Sequence, residues 1–207
     1  MVLIMAVLET YEWCDFWWEK TDGDGKPRVL LIGDSITRAY RPKVQELLKD
    51  TAYVDMLATS KAVDNPSLIH EIGYILKHEN FKYKAIHFNN GLHGPHMSAG
   101  EYREGMEAVI RFISENCGQA QIILTLSTPV TVEGKRDVPD TGLNRKVTDR
   151  NNAVSSLAKK YGLAVDDLYT PMFGVSGYRV DDGLHYNAEG ERAQAEIVAK
   201  KLMEFLS

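Results

Sequence analysis

The sequence predicts an α/β fold, a three-layer α/β/α domain around a central parallel sheet of about five strands. Short apolar, β-branched runs alternate with segments of helical period along the 207 residues. The runs are nearly continuous in apolar character, as strands buried on both faces require. The length suits one domain that buries a core without disulfide staples.

The strand runs, in order, are Arg28–Gly33, Ala52–Leu57, Ala85–Asn89, Gln121–Leu126 and Leu163–Val165. Between them, Leu68, Ile69, Ile72, Ile75 and Leu76 share one helical stripe. Tyr102, Met106, Val109 and Ile113 share another, behind a capping box of Ser98 and Glu101. Val147, Val154, Leu157 and Tyr161 mark a further helix. Ala195, Val198, Leu202 and Phe205 mark the last, with Asn187 as its cap. Two segments stand outside the alternation. Thr128 to Leu143 is predicted as a long polar loop, of a length often functional or mobile. Ahead of the first strand, around "YEWCDFWWEK", Val7, Tyr11, Cys14 and Trp18 fall on one helical stripe. The segment is therefore expected as a helix packed on the domain, with a subunit contact or an aromatic pocket wall as alternatives. The domain reading is a single unit over 1–207, with 1–27 as an aromatic-rich extension and 28–207 as the core.

Composition excludes several classes. Hydrophobic residues make up 44% and charged residues 26%, with a formal net charge of -5. No strongly basic run occurs, which argues against a nucleic-acid partner. No apolar run reaches the ~18 residues of a membrane span, so no membrane partner is expected. The opening "MVLIMAVLET" lacks a basic start and a small-residue cleavage pattern, and it is read as folded sequence. A cytoplasmic location is the corresponding expectation. Cys14 and Cys117 sit in no CxxC pattern, which leaves at most one bridge between them.

The chemistry centres on "VLLIGDSITRAY", Val29 to Tyr40, where a strand stops at Gly-Asp-Ser and a helix begins. Ser35 there fits a nucleophile, a phosphate-binding hydroxyl or a helix cap. Asp34 would repel a phosphate, and no GxxxxGK[ST] occurs. A serine nucleophile needs a base, and the base needs an orienting partner. Of the histidines, His70 and His78 are expected at the surface and His87 as a satisfied core residue. His185 differs, because in "VDDGLHYNAEG" it follows Asp182 by three residues. On a tight loop that spacing turns the carboxylate back onto the same imidazole. In "IHFNNGLHGPH", Asn90 follows the third strand, where its amide is placed to stabilise an oxyanion. The first and third strands end on the same edge of a parallel sheet, the edge where such folds bind ligands.

Together "GDSIT", Asn90 and "DGLH" resemble the SGNH (GDSL-type) hydrolase family, in the right order over Arg28 to Leu206. The resemblance implies a flavodoxin-like strand order, 2-1-3-4-5. It implies catalytic Ser35, Asp182 and His185, with an oxyanion hole from the Ser35 and Ser60 N–H groups and the Asn90 side chain. No cofactor or metal is implied, and a metal site of His87, His93 and His96 is the rival with least support. The chain departs from the family in two blocks. Phe88 and Gly91 stand where the family has Gly and Asp, and the second block, "LATSKAVDNP", has no glycine. Ser60 aligns with that glycine, and Lys61 is the next candidate.

The expected activity is a serine esterase acting on a short acyl ester, acetyl first among them, of a carbohydrate or other polar alcohol. Lipase, thioesterase and lysophospholipase activities are the alternatives, with a binding module carrying a vestigial triad as the non-enzymatic one. Tyr40, Lys61 and His93 are the substrate-binding candidates, and Arg38 and Tyr178 are further polar residues near the pocket. The aromatic amino-terminal segment is a candidate homo-oligomer contact.

Overall fold

The computed structural model describes residues 7–23, 25–77 and 81–206. The reading of residues 1–6 and the surface placement of His78 fall outside them. A six-stranded sheet runs β1-β3-β2-β4-β5-β8. Its strands are β1 (Cys14–Trp17), β2 (Arg28–Gly33), β3 (Tyr53–Thr59), β4 (Tyr83–Phe88), β5 (Gln121–Leu126) and β8 (Ala164–Asp167). A separate hairpin pairs β6 (Thr131–Val132) with β7 (Lys135–Pro139). The five strands from β3 to β8 are parallel and keep the order 2-1-3-4-5 in their own sequence. β1 adds to the β3 edge antiparallel.

The helices are α1 (Ser35–Leu48), α2 (Pro66–Lys77), α3 (Ala99–Asn116), α4 (Thr141–Tyr161) and α5 (Ala188–Met203). Alternation along β2 divides the core. Leu30 and Ile32 join Leu68, Ile72, Met106, Ile113 and Leu157 from α2, α3 and α4. Val29 and Leu31 join Val44, Leu48, Ala195, Val198 and Leu202 from α1 and α5. Each buried Leu or Ile contributes about 1.5–3 kcal/mol. Both faces of the sheet are thereby covered, which is why the strand runs read as continuously apolar.

Beneath the β1 edge, the Arg28 guanidinium binds both carboxylate oxygens of Asp55, at 2.8 and 3.0 Å. It also lies over the rings of Tyr53 and Phe81. The Tyr83 hydroxyl and the Glu19 N–H donate to the same carboxylate. Burial still pushes the Asp55 carboxyl above the usual carboxylate range, against the bonds from Glu19, Arg28 and Tyr83, so the pair is hydrogen-bonded on several sides without recovering all of its desolvation cost.

Two expectations are corrected. The amino-terminal segment is a strand over Cys14–Trp17, not a helix. Phe16 and Trp18, on one side of the strand, stack on each other and meet Tyr74 edge-on. Trp17, on the other side, lies under the Arg41 guanidinium. The period is therefore two, and cross-strand pairing with β3 supplies the backbone bonds a helix would have made internally. The stretch Thr128–Leu143 is likewise not an irregular loop but contains the β6–β7 hairpin and the start of α4. The caps at Ser98 and Asn187 form as expected, the first as a complete capping box. Cys14 and Cys117 are both free.

Candidate active site

β2 and β4 are parallel neighbours, so their carboxyl ends bring Asp34–Ser35 beside Asn89–Asn90. The N-cap of α1 is Asp34, whose Oδ1 accepts the Ile36 N–H at 2.9 Å. Ser35 is the first helical residue, and its hydroxyl is left for other work. It sits 2.7 Å from His185 Nε2. His185 Nδ1 lies 2.6 Å from Asp182 Oδ2. A carboxylate only accepts, so Nδ1 carries the ring proton and Nε2 accepts from the serine hydroxyl.

The loop that delivers this pair is tied down twice. Asp182 Oδ1 accepts the N–H groups of Leu184 and His185, both at 2.8 Å. Burial alone would raise the Asp182 carboxyl, but these bonds and the adjacent imidazole outweigh it and hold the group below the usual carboxylate range. The β6–β7 hairpin buttresses the same turn. Thr131 N–H donates to Gly183 O, Gly134 N–H donates to Asp181 O, and Arg136 grips the Asp181 carboxylate with two nitrogens. Gly183 has φ +78°, and a Cβ there would meet Thr131 O at 2.3 Å, so the turn demands glycine.

Asn90 is buried, and its Nδ2 donates to Lys61 O at 2.7 Å. One amide hydrogen remains, and Oδ1 finds no partner among the described residues. The departure at Gly91 has a steric cause, since a Cβ would meet Ser127 Oγ at 1.5 Å. The two second-block candidates do not supply an oxyanion donor. Ser60 N–H donates to Trp13 O at 3.2 Å, prolonging the β1–β3 ladder by one residue. Its hydroxyl donates to Glu12 and accepts from Trp13 N–H. Lys61 N–H donates to Thr59 Oγ1, and its ammonium faces Glu12, Glu71 and Trp13 O.

Ser35 and His185 open onto a cavity of about 760 Å³. Its lining includes Val7, Leu8, Tyr11 and Trp13 from the amino-terminal segment, so that segment walls the pocket. Leu143, Lys146, Val147 and Arg150 from α4 also line the cavity. Of the substrate-binding candidates, His93 lines the cavity. Tyr40 does not, because it lies on the buried face of α1 at 1% exposure with its hydroxyl on Thr37 Oγ1. Lys61 does not, because Glu12, Glu71 and the Trp13 carbonyl hold it beneath β1. Arg38 stacks on the Trp13 ring, and Tyr178 packs on the α5 side of the sheet. His87, His93 and His96 each find a separate carboxylate, on Asp166, Glu9 and Asp64. The pocket-wall alternative for the amino-terminal segment is the one observed, but sequence reasoning missed its aliphatic part, Val7 and Leu8, and it missed Arg150. The Arg150 guanidinium donates to the carbonyls of Gly91, His93 and Gly94 and so holds the loop after Asn90. No local motif marks that arginine, because its partners are backbone atoms.

Residues 87–193 match the GDSL-like lipase/acylhydrolase family, and the chain belongs to it. It is 27% identical over 120 residues to a GDSL esterase/lipase of Arabidopsis thaliana. That match covers 53% of this chain, and the chain spans about half the length of the relative. An acetyl xylan esterase superposes with TM-score 0.67 at 18% identity, over 84% of this chain and 99% of that one. A carbohydrate acetylesterase from Sinorhizobium meliloti superposes with TM-score 0.66 at 14% identity, over 86% and 99%. Likeness at these identities speaks to the fold.

Among the described residues, no helix is long and apolar enough to cross a membrane.

Proposed function

We propose that this chain hydrolyses a short-chain acyl ester, with acetyl as the acyl group and a carbohydrate or similar polar alcohol as the leaving group. The observation that carries the reading is the relay of Ser35, His185 and Asp182, at 2.7 and 2.6 Å, opening onto one cavity. Ser35 Oγ attacks the acyl carbonyl while His185 Nε2 takes its proton. The oxyanion is held by the Ser35 N–H, at the positive end of α1, and by the remaining amide hydrogen of Asn90. Collapse of the tetrahedral intermediate breaks the bond to the alcohol oxygen, and His185 returns the proton to that oxygen. Water, deprotonated by the same imidazole, then attacks the acyl-enzyme, and the acid leaves with Ser35 reprotonated. The names of the two structural neighbours, an acetyl xylan esterase and a carbohydrate acetylesterase, support the acetyl and sugar parts.

One observation favours a second reading. The wall of Val7, Leu8, Leu143 and Val147 is apolar, and about 760 Å³ exceeds the need of an acetyl group. A longer acyl chain of lipase type would use that wall. Rates across 4-nitrophenyl esters of rising acyl length decide between them. The acetyl reading expects kcat/KM to be highest at acetate and to fall by octanoate. A maximum at octanoate transfers the assignment to the longer acyl group.

The Asn90 role carries its own prediction. Asn90→Ala is expected to lower kcat by roughly 10²–10³, the effect of losing one oxyanion donor. KM should change little, because the bond strengthens only as the oxyanion forms. An unchanged kcat removes Asn90 from the mechanism.

A further inference from the structure

His93 is the second histidine on the cavity that holds Ser35, and its surroundings are built rather than incidental. Its Nδ1 lies 2.8 Å from Glu9 Oε1, and Glu9 lines the same cavity. The carboxylate fixes the ring proton on Nδ1, which leaves a lone pair on Nε2. Nε2 makes no hydrogen bond among the described residues. The backbone of His93 is held from the other side, its carbonyl accepting from Arg150 Nη1 at 2.7 Å. Arg150 is itself buried and stacked on Tyr102. The ring is thus held by Glu9 of the amino-terminal segment, and the backbone that carries it by Arg150 of α4.

From this we infer that His93, oriented by Glu9, reads a free hydroxyl on the alcohol part of the substrate, so that the preferred ester is that of a polyol or sugar. The inference rests on the esterase reading above. An acetyl group has no hydroxyl to offer, so the group that meets Nε2 belongs to the alcohol. Leu8, Leu92 and Leu143 line the same cavity and are apolar. In such a site a substrate lacking the hydroxyl leaves Nε2 desolvated and unpaired, which discriminates more strongly than added contact area does. His93 is therefore a specificity residue, and the proton transfers remain with His185.

The experiment compares two acetate esters of a methyl xyloside. One keeps its other hydroxyls free, and its twin has them O-methylated. The readout is the ratio of the two kcat/KM values, for wild type, His93→Ala and Glu9→Ala. Wild type should favour the hydroxylated ester by about tenfold or more, the value of one well-made hydrogen bond. His93→Ala should bring the ratio close to one. Glu9→Ala, on the exposed segment, should lower it part of the way while the ring is still present, and it serves if His93→Ala does not fold. A wild-type ratio near one with both esters hydrolysed overturns the inference and leaves the esterase reading standing. A ratio that survives both substitutions also overturns it. If wild type hydrolyses neither these esters nor 4-nitrophenyl acetate, the esterase reading itself fails, and this inference falls with it.

Discussion

Ser35→Ala is expected to lower kcat on 4-nitrophenyl acetate by roughly 10⁴–10⁶. The substitution removes the atom that would form the acyl bond. What remains, the oxyanion donors and the cavity, supplies binding without a covalent route. Stability should hardly move. The Ser35 hydroxyl bonds to His185 Nε2, while Asp34 caps the helix, so Tm is expected to stay within about 2 °C. Steady-state rates and a thermal melt on the same samples check both halves. Wild type and Ser35→Ala hydrolysing at one buffer-level rate would leave the chain a binding module with an idle relay.

Asp182→Asn is expected to cost about 10⁴ in kcat, again without loss of fold. The asparagine oxygen can still accept the N–H groups of Leu184 and His185, so the turn survives. Its NH₂ group, however, meets Nδ1 as a donor. The ring proton then moves to Nε2 and points at Ser35 Oγ, and the imidazole no longer accepts the serine proton. The native carboxyl has the opposite property. Its pKa is depressed, so it stays ionised as pH falls into the mildly acidic range. The sign follows for stability as well. The pairing contributes above the unfolded-state pKa and is lost as pH falls through the lower folded value. With both side chains close to half exposed, that stability component is small. The kinetic effect is the large one. A kcat within tenfold of wild type for Asp182→Asn would show that something else orients His185.

The parallel sheet and the Asp182–His185 contact were legible in the sequence for the same reason, because each is written in a local pattern. Continuous apolar runs betray strands covered on both sides, and Asp182 and His185 lie within one turn of each other. What failed involved choices between periods or partners distant in sequence. Val7, Tyr11, Cys14 and Trp18 satisfy a helical stripe, yet Phe16 and Trp18 also satisfy a strand, and pairing with β3 decided for the strand. Ser60 was placed in the oxyanion hole by its position after the second strand. The ladder's next residue, Trp13, instead takes its N–H. Tyr40 is amphipathic, and its type suits a pocket residue as well as a core one. One further turn of α1 carries it into the core.

The amino-terminal wall also bears on how this site opens. β1 is four residues long, lies at the sheet's edge and pairs with one neighbour. Such an edge can detach at a free energy well below that of global unfolding. The Glu9–His93 and Glu12–Ser60 bonds tie the segment just ahead of that edge to the cavity and to the end of β3. A substitution that removes either bond is expected to loosen one wall of the cavity while the melting temperature barely registers it.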